Sequence, residues 1–180
     1  MYSNKKIFFR IKSMKFQCIT ILFLLIPIIS GNFITTKFKG TGEEQIFMNA
    51  IKERPCPNKI IVDGEIISNP TCKYKFPNKI VTIQINLNKD IKSFKRMFSD
   101  ILNIIEIDLT QSDTSLIDNM AYMFENCNSL TFANLSDINT SSLVNIEKMF
   151  NNCKSLKSLD LTNVDLSKIQ NHKNIFNNCN

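Results

Sequence analysis

Asp113-Thr114-Ser115-Leu116-Ile117-Asp118-Asn119-Met120-Ala121-Tyr122-Met123-Phe124-Glu125-Asn126-Cys127-Asn128-Ser129-Leu130 comes back along the chain at a constant step of 26 residues. Met97-Phe98, Met123-Phe124, Met149-Phe150 and Ile175-Phe176 keep that step. So do Cys127, Cys153 and Cys179, the leucines Leu109, Leu135 and Leu161, and the serines Ser115, Ser141 and Ser167. No gap is needed to hold the register. A fixed period of about 20–50 residues marks a stack of like units, each too small to bury its apolar face alone.

Two spacings alternate within one period. Ile104, Ile107 and Leu109, then Leu130, Ala133, Leu135 and Ile138, then Leu156, Leu159, Leu161 and Val164 follow L-x-x-L-x-L, whose x-L-x-L part reads as a short strand with alternating faces. A polar turn follows: Ser112-Asp113-Thr114-Ser115, Ile138-Asn139-Thr140-Ser141 and Val164-Asp165-Leu166-Ser167. Its side-chain oxygens suit a helix start, with Ser115 and Asp118, or Ser167 and Gln170, spaced as capping pairs. Ile117, Met120, Met123, Phe124 and Cys127 then recur at steps of three and four, one face of a helix. Each period predicts strand, turn and helix. The expected fold is therefore an α/β leucine-rich-repeat solenoid, with a parallel β-sheet on one face, short helices on the other, and an N-terminal helix and hairpin cap.

The turn serine, Met-Phe pair, cysteine and leucine ladder, all in register, resemble the BspA-type leucine-rich repeat of bacterial and protist surface proteins, and the resemblance covers about half of the chain. It implies a secreted or surface-displayed, non-enzymatic protein linked to adhesion. Ile101 replaces the cysteine of the first unit, and His172 and Ile175 stand where the last unit should carry methionines.

The chain opens with Lys5, Lys6, Arg10, Lys12 and Lys15 and no acid in its first 15 residues; an apolar run from Cys18 to Ile29 and the small pair Ser30-Gly31 follow. That order is a secretory signal peptide over residues 1–31. The alternative is a membrane anchor, since Phe16 to Thr36 carries no charge. The strongly apolar part holds 12 residues, short of the about 20 of a spanning helix, which favours the leader. Met14 could equally be the start. Cys18 precedes the apolar core and so is no lipidation site. Five of the 22 basic side chains lie in this leader, leaving 17 against 16 acids, so the overall charge of +6 is no footprint for nucleic acid. The remaining charge is uneven, +6 over residues 37–96 and −5 over residues 97–180.

Residues 37–96 predict the cap and residues 97–180 the repeats. Thr41 and Glu44 suit a capping box, with Ile46, Phe47, Ala50 and Ile51 on one helical face and Pro55 as the stop. Lys59-Ile60-Ile61-Val62 and Glu65-Ile66-Ile67-Ser68 flank Asp63-Gly64, a type I′ hairpin signal. In that register paired numbers sum to 127, which sets Cys56 opposite Thr71, one step from Cys72. A Cys56–Cys72 bridge at the hairpin base follows. Val81, Ile83, Ile85 and Leu87 alternate as a further strand, 26 residues ahead of the first repeat strand.

Cys127, Cys153 and Cys179 stand on neighbouring units with parallel side-chain vectors, a geometry that suits buried thiols better than disulfides. Zinc needs paired cysteines that such a ladder does not supply. Catalytic signals are thin: His172 is the single histidine, in a slot filled elsewhere by Met120 and Ile146, and Gly40-Thr41-Gly42 is neither a dinucleotide fingerprint nor a phosphate loop. No catalytic residue, metal or cofactor is expected.

The functional expectation is a secreted or cell-surface binding and adhesion module that meets a protein or glycan ligand on the strand face, through Asp108, Thr110, Asn134, Ser136, Ser158, Asp160 and Thr162. The alternatives are an intracellular repeat scaffold for protein–protein interaction and a degenerate hydrolase. Membrane contact is expected only through an uncleaved N-terminal segment. In a eukaryotic secretory route Asn134-Leu135-Ser136 and Asn139-Thr140-Ser141 are glycan acceptors, Asn139 the better because it lies in a turn. The last unit stops at Cys179-Asn180, before the leucine that follows each other cysteine. That predicts a longer array, or self-association through the open C-terminal edge.

Overall fold

The computed structural model describes residues 32–46, 48, 49, 56, 57, 59–68 and 70–179. The leader over residues 1–31 lies outside them, as do positions 47 and 50–54 of the expected cap helix and its stop at position 55. The described strands are β1 (Phe33–Lys39), β2 (Glu44–Ile46), β3 (Lys59–Val62), β4 (Glu65–Ser68), β5 (Lys73–Lys75), β6 (Ile80–Asn86), β7 (Ile104–Asp108), β8 (Phe132–Asn134) and β9 (Ser158–Asp160). Seven of them make one mixed sheet in the order β4-β3-β6-β1-β7-β8-β9, and β2 pairs with β5 in a separate ribbon.

The expected α/β solenoid of strands and short helices is overturned: among the described residues there is no α-helix, and the domain is nearly all β. The stretch from Met120 to Cys127 shows why. An α-helix sends every N–H to the carbonyl four residues back. Here the N–H groups alternate. Met123, Glu125 and Cys127 donate to Met120, Tyr122 and Phe124, each three residues back, at 3.1–3.2 Å. Phe124 and Asn126 donate instead across to Met149 and Asn151 of the next unit, at 2.8 and 2.9 Å. Tyr122 and Asn126, with φ of 59° and 62°, interrupt the right-handed path. A run of three-residue turns still brings side chains back to one face at steps of three and four, so Ile117, Met120, Met123, Phe124 and Cys127 are all buried. The spacing was that of a helix; the hydrogen bonds belong to a stack.

The expected helix caps are likewise turns. Asp113 Oδ1 accepts from the Ser115 N–H (3.1 Å) and hydroxyl (2.6 Å), and Asn139 and Asp165 take the N–H of Ser141 and Ser167, each at 2.9 Å. An Asx side chain that closes its own backbone two residues on makes a turn without a helix. Parallel bridges Ser93–Asn119, Asn119–Asn145 and Asn145–Asn171 tie the units on the side away from the sheet.

The cap also differs. Glu44–Ile46 is a strand paired with Lys73–Lys75, where the expected helix over 41–54 should have begun. The β3–β4 hairpin pairs Lys59 with Ser68 and Val62 with Glu65, turning at Asp63 and Gly64 with φ of 48° and 90°. Two positive φ values in succession are what a type I′ turn requires. Strand β6 does not run straight on into the repeats: β1 lies between β6 and β7, antiparallel to both. Its residues Ile34, Thr36 and Phe38 are buried, while Phe33, Thr35, Lys37 and Lys39 alternate with them.

One core runs through both parts. Phe98, Phe124, Phe150 and Phe176 stack along it with ring centroids 5.6, 5.2 and 5.8 Å apart. Each thiol of the cysteine ladder donates to a carbonyl of the preceding unit: Cys127 to Phe98, Cys153 to Phe124 and Cys179 to Phe150, at 3.0–3.1 Å. His172, expected in a core slot, is exposed.

Candidate ligand-binding face

The outward side of the sheet is assembled from side chains that alternate with the core. Pairing sets Thr35, Asp108, Asn134 and Asp160 in one row across β1, β7, β8 and β9. The neighbouring row on the same face is Lys37, Glu106, Phe132 and Ser158. Adjacent strands lie about 4.8 Å apart, so each row is a regular comb of functional groups.

Three of the seven expected ligand residues are already engaged by three others. Asp108 Oδ1 accepts from the Thr110 N–H (2.8 Å) and hydroxyl (2.7 Å). Asn134 Oδ1 does the same for Ser136 (3.1 and 2.9 Å), and Asp160 Oδ1 for Thr162 (2.9 and 2.7 Å). These pairs close the turn at the end of each strand. The hydroxyl and amide bonds from Thr162 hold the Asp160 carboxyl below its usual range. Asp108, Asn134, Ser158 and Asp160 stand on the strands and share the face; Thr110, Ser136 and Thr162 are tied back just beyond it.

Sequence reasoning missed the residues that give this face relief. The β1–β7 pairing shifts register between Lys37 and Phe38, leaving Ile105 as the extra residue. Such a bulge kinks the strand and re-aims its side chains. Beside it lies a cavity of about 210 Å³ lined by Thr35, Thr36, Lys37, Glu106, Ile107, Asp108 and Phe132. Lys37 Nζ sits 2.6 Å from Glu106 Oε2 at its rim. Phe132 is half-buried there and joins none of the aromatic stacks among the described residues. Alternation alone places Glu106 and Phe132 with Asp108 and Asn134. Lys37 and Thr35 join them through the pairing of β1 with β7, which alternation within the repeats does not show.

A family described as "Mycoplasma protein of unknown function, DUF285" matches residues 85–180. The chain belongs to that family. The match overturns the resemblance to BspA-type leucine-rich repeats, for no leucine-rich-repeat family matches the chain. No curated protein and no solved structure matches it either. The DUF285 region holds β7, β8 and β9 with Glu106, Asp108 and Phe132, whereas Thr35 and Lys37 are supplied by β1, outside it.

Elsewhere, Cys56 and Cys72 form a disulfide with Cα atoms 5.1 Å apart, and Cys127, Cys153 and Cys179 are free thiols. Asn139 is exposed in its turn and Asn134 half-buried on β8. Among the described residues no three His, Cys, Asp or Glu side chains gather as a metal site, and no helix is long and apolar enough to cross a membrane. A second cavity, of about 90 Å³, lies between the last two units and is wholly apolar, lined by Leu159, Leu161, Ile175 and Phe176 among others.

Proposed function

We propose that this DUF285 protein is a non-catalytic binding module, displayed outside the cell, that meets a protein or glycan ligand on the outward face of its sheet. The observation that carries the reading is the cavity beside the β-bulge, where an aromatic ring, an ion pair and a carboxylate converge on a rigid strand surface. β7 and β8 are flanked by paired strands on both sides, so their backbone groups are taken and side chains alone are offered to a ligand. The Cys56–Cys72 disulfide supports an oxidising compartment.

The test is capture of the purified full chain by immobilised purified extracellular glycoproteins, each presented before and after enzymatic deglycosylation. Saturable capture by some of them, lost on Asn134→Arg, is the expected result, because a long cation there crosses the face without entering the core. Capture that ignores Asn134→Arg would place the ligand elsewhere on the molecule, and no capture at all would remove the proposal.

A further inference from the structure

We infer that the cavity at Phe132 is a saccharide subsite, seating one neutral sugar ring with its C–H face on the phenyl ring and its hydroxyls toward Asp108, Glu106 and Lys37. The inference rests on the binding role proposed above and names its ligand class. The repeat itself supplies the first reason. The slot occupied by Phe132 is Glu106 in the preceding unit and Ser158 in the next. The stack accepts a carboxylate or a small hydroxyl there, so packing does not require an aromatic ring on this outward row. Burial of Phe94, Phe98, Phe124 and Phe150 shows where the fold does require one.

Chemistry supplies the second reason. The face of a phenyl ring carries negative potential and attracts the weakly positive C–H groups on one side of a pyranose. The hydroxyls at the edge of such a ring ask for charged acceptors and donors in fixed positions, and charge-assisted bonds are the strong ones. Asp108 spends one oxygen, Oδ1, on Thr110 and keeps the other out of that turn. Glu106 and Lys37 balance each other across the rim, so the site presents hydrogen-bonding groups with little net field beyond the Asp108 charge. That pattern suits a neutral polyol better than a polyanion.

Size supplies the third. At about 210 Å³ the cavity is smaller than the roughly 300–1,000 Å³ that encloses a whole small ligand. It takes one unit of a chain that continues over the face. The comb of Asn134, Ser158 and Asp160 lies along that path.

The experiment uses the full chain, titrated by calorimetry with lactose, N-acetyllactosamine, chitobiose, maltotriose and mannotriose, and with a heparin tetrasaccharide as the polyanionic comparison. Saturable binding of at least one neutral sugar is expected, weakened about tenfold or more by Phe132→Ala and retained by Phe132→Tyr. Asp108→Asn keeps the turn, as Asn134 does for Ser136, and is expected to weaken the same sugar severalfold. Unchanged melting temperatures separate these effects from misfolding. No neutral sugar binding, binding of heparin alone, or binding indifferent to Phe132→Ala would overturn the inference. Capture of deglycosylated proteins that is lost on Asn134→Arg would keep the binding face and remove its saccharide, so the two proposals fail separately.

Discussion

Cys153 sits in the middle of the thiol ladder, buried, with its Sγ–H donating to the Phe124 carbonyl at 3.1 Å. Burial pushes this thiol up to about 12, and the neighbouring Cys179 adds to the rise, while a hydrogen bond from the Cys127 backbone to its sulfur opposes it. Burial likewise holds Cys127 well above its ordinary value. A thiol of the unfolded chain ionises near ~8.5, so the folded state binds more protons over the interval above that. The sign follows: the contribution is complete below about pH 8.5 and is lost as pH rises toward 12. Urea midpoints at about pH 8 and about pH 10.5 should therefore separate more in the native chain than in Cys153→Ala. An equal alkaline loss in both would show that the loss arises elsewhere. A second prediction at this scale concerns the two acceptor asparagines. Asn139 is exposed, whereas Asn134 lies half-buried on β8 with its Oδ1 held by Ser136. Passed through a eukaryotic secretory route, the chain should carry one glycan, removed by Asn139→Gln in intact-mass spectra. A glycan that survives that substitution would place it on Asn134.

At the scale of elements, the 26-residue unit gains its stability from its neighbours, and the phenylalanine stack measures how much. Phe124 and Phe150 are 0 and 1 % exposed between rings on both sides, while Phe176 is 50 % exposed with a ring on one side only. Phe150→Ala should cost about 3–5 kcal/mol. Phe176→Ala should cost about 1 kcal/mol or less, since half of that side chain never left water. Urea unfolding of the two variants gives the comparison, and equal costs would mean that the stack is not what holds the units together. The same element shows what could be read beforehand. Period, register, the repeat strands and the buried ladder residues of the inner units were legible, because they depend on which side chains face inward; in the last unit Leu161, His172 and Phe176 are exposed instead. The absence of helix was not. Positions 122 and 148 adopt positive φ with Tyr and Lys, residues that give no hint of a left-handed backbone. Positions 126, 152 and 178 do carry asparagine, which tolerates that conformation. Their amides also join the units, Asn152 Nδ2 donating to Asn126 Oδ1 at 2.7 Å and Asn178 Nδ2 to Asn152 Oδ1 at 2.8 Å. A recurring asparagine inside a supposed helix was the available sign that the segment was a stack of turns.

For the whole molecule the decisive strand is β1, hidden in the sequence because Phe33–Thr36 closes the uncharged stretch that begins at Phe16 and reads as the tail of a leader. Its alternation is plain only when Lys37 and Lys39 are included. Paired with β6 on one side and β7 on the other, it joins the antiparallel hairpin region to the parallel units. Thr36 adds a bond from its hydroxyl to the Glu106 carbonyl at 2.8 Å, and Lys39 N–H donates to the Asn103 carbonyl at 2.9 Å. A stack of repeats on its own would unfold in steps, each unit answering only to the next. With β1 inserted at its head, the two regions share one core, in which Phe38 is fully buried and stacks on Phe76 at 5.8 Å. Phe38→Ala should therefore cost about 3–5 kcal/mol. It should also lower hydrogen-exchange protection at Ile85 in β6 and at Phe124 in the repeats by the same factor, with one unfolding transition seen by both amides. Loss of protection at Ile85 alone, with Phe124 unchanged, would mean that the hairpin region and the repeats fold as separate units and that β1 belongs to only one of them.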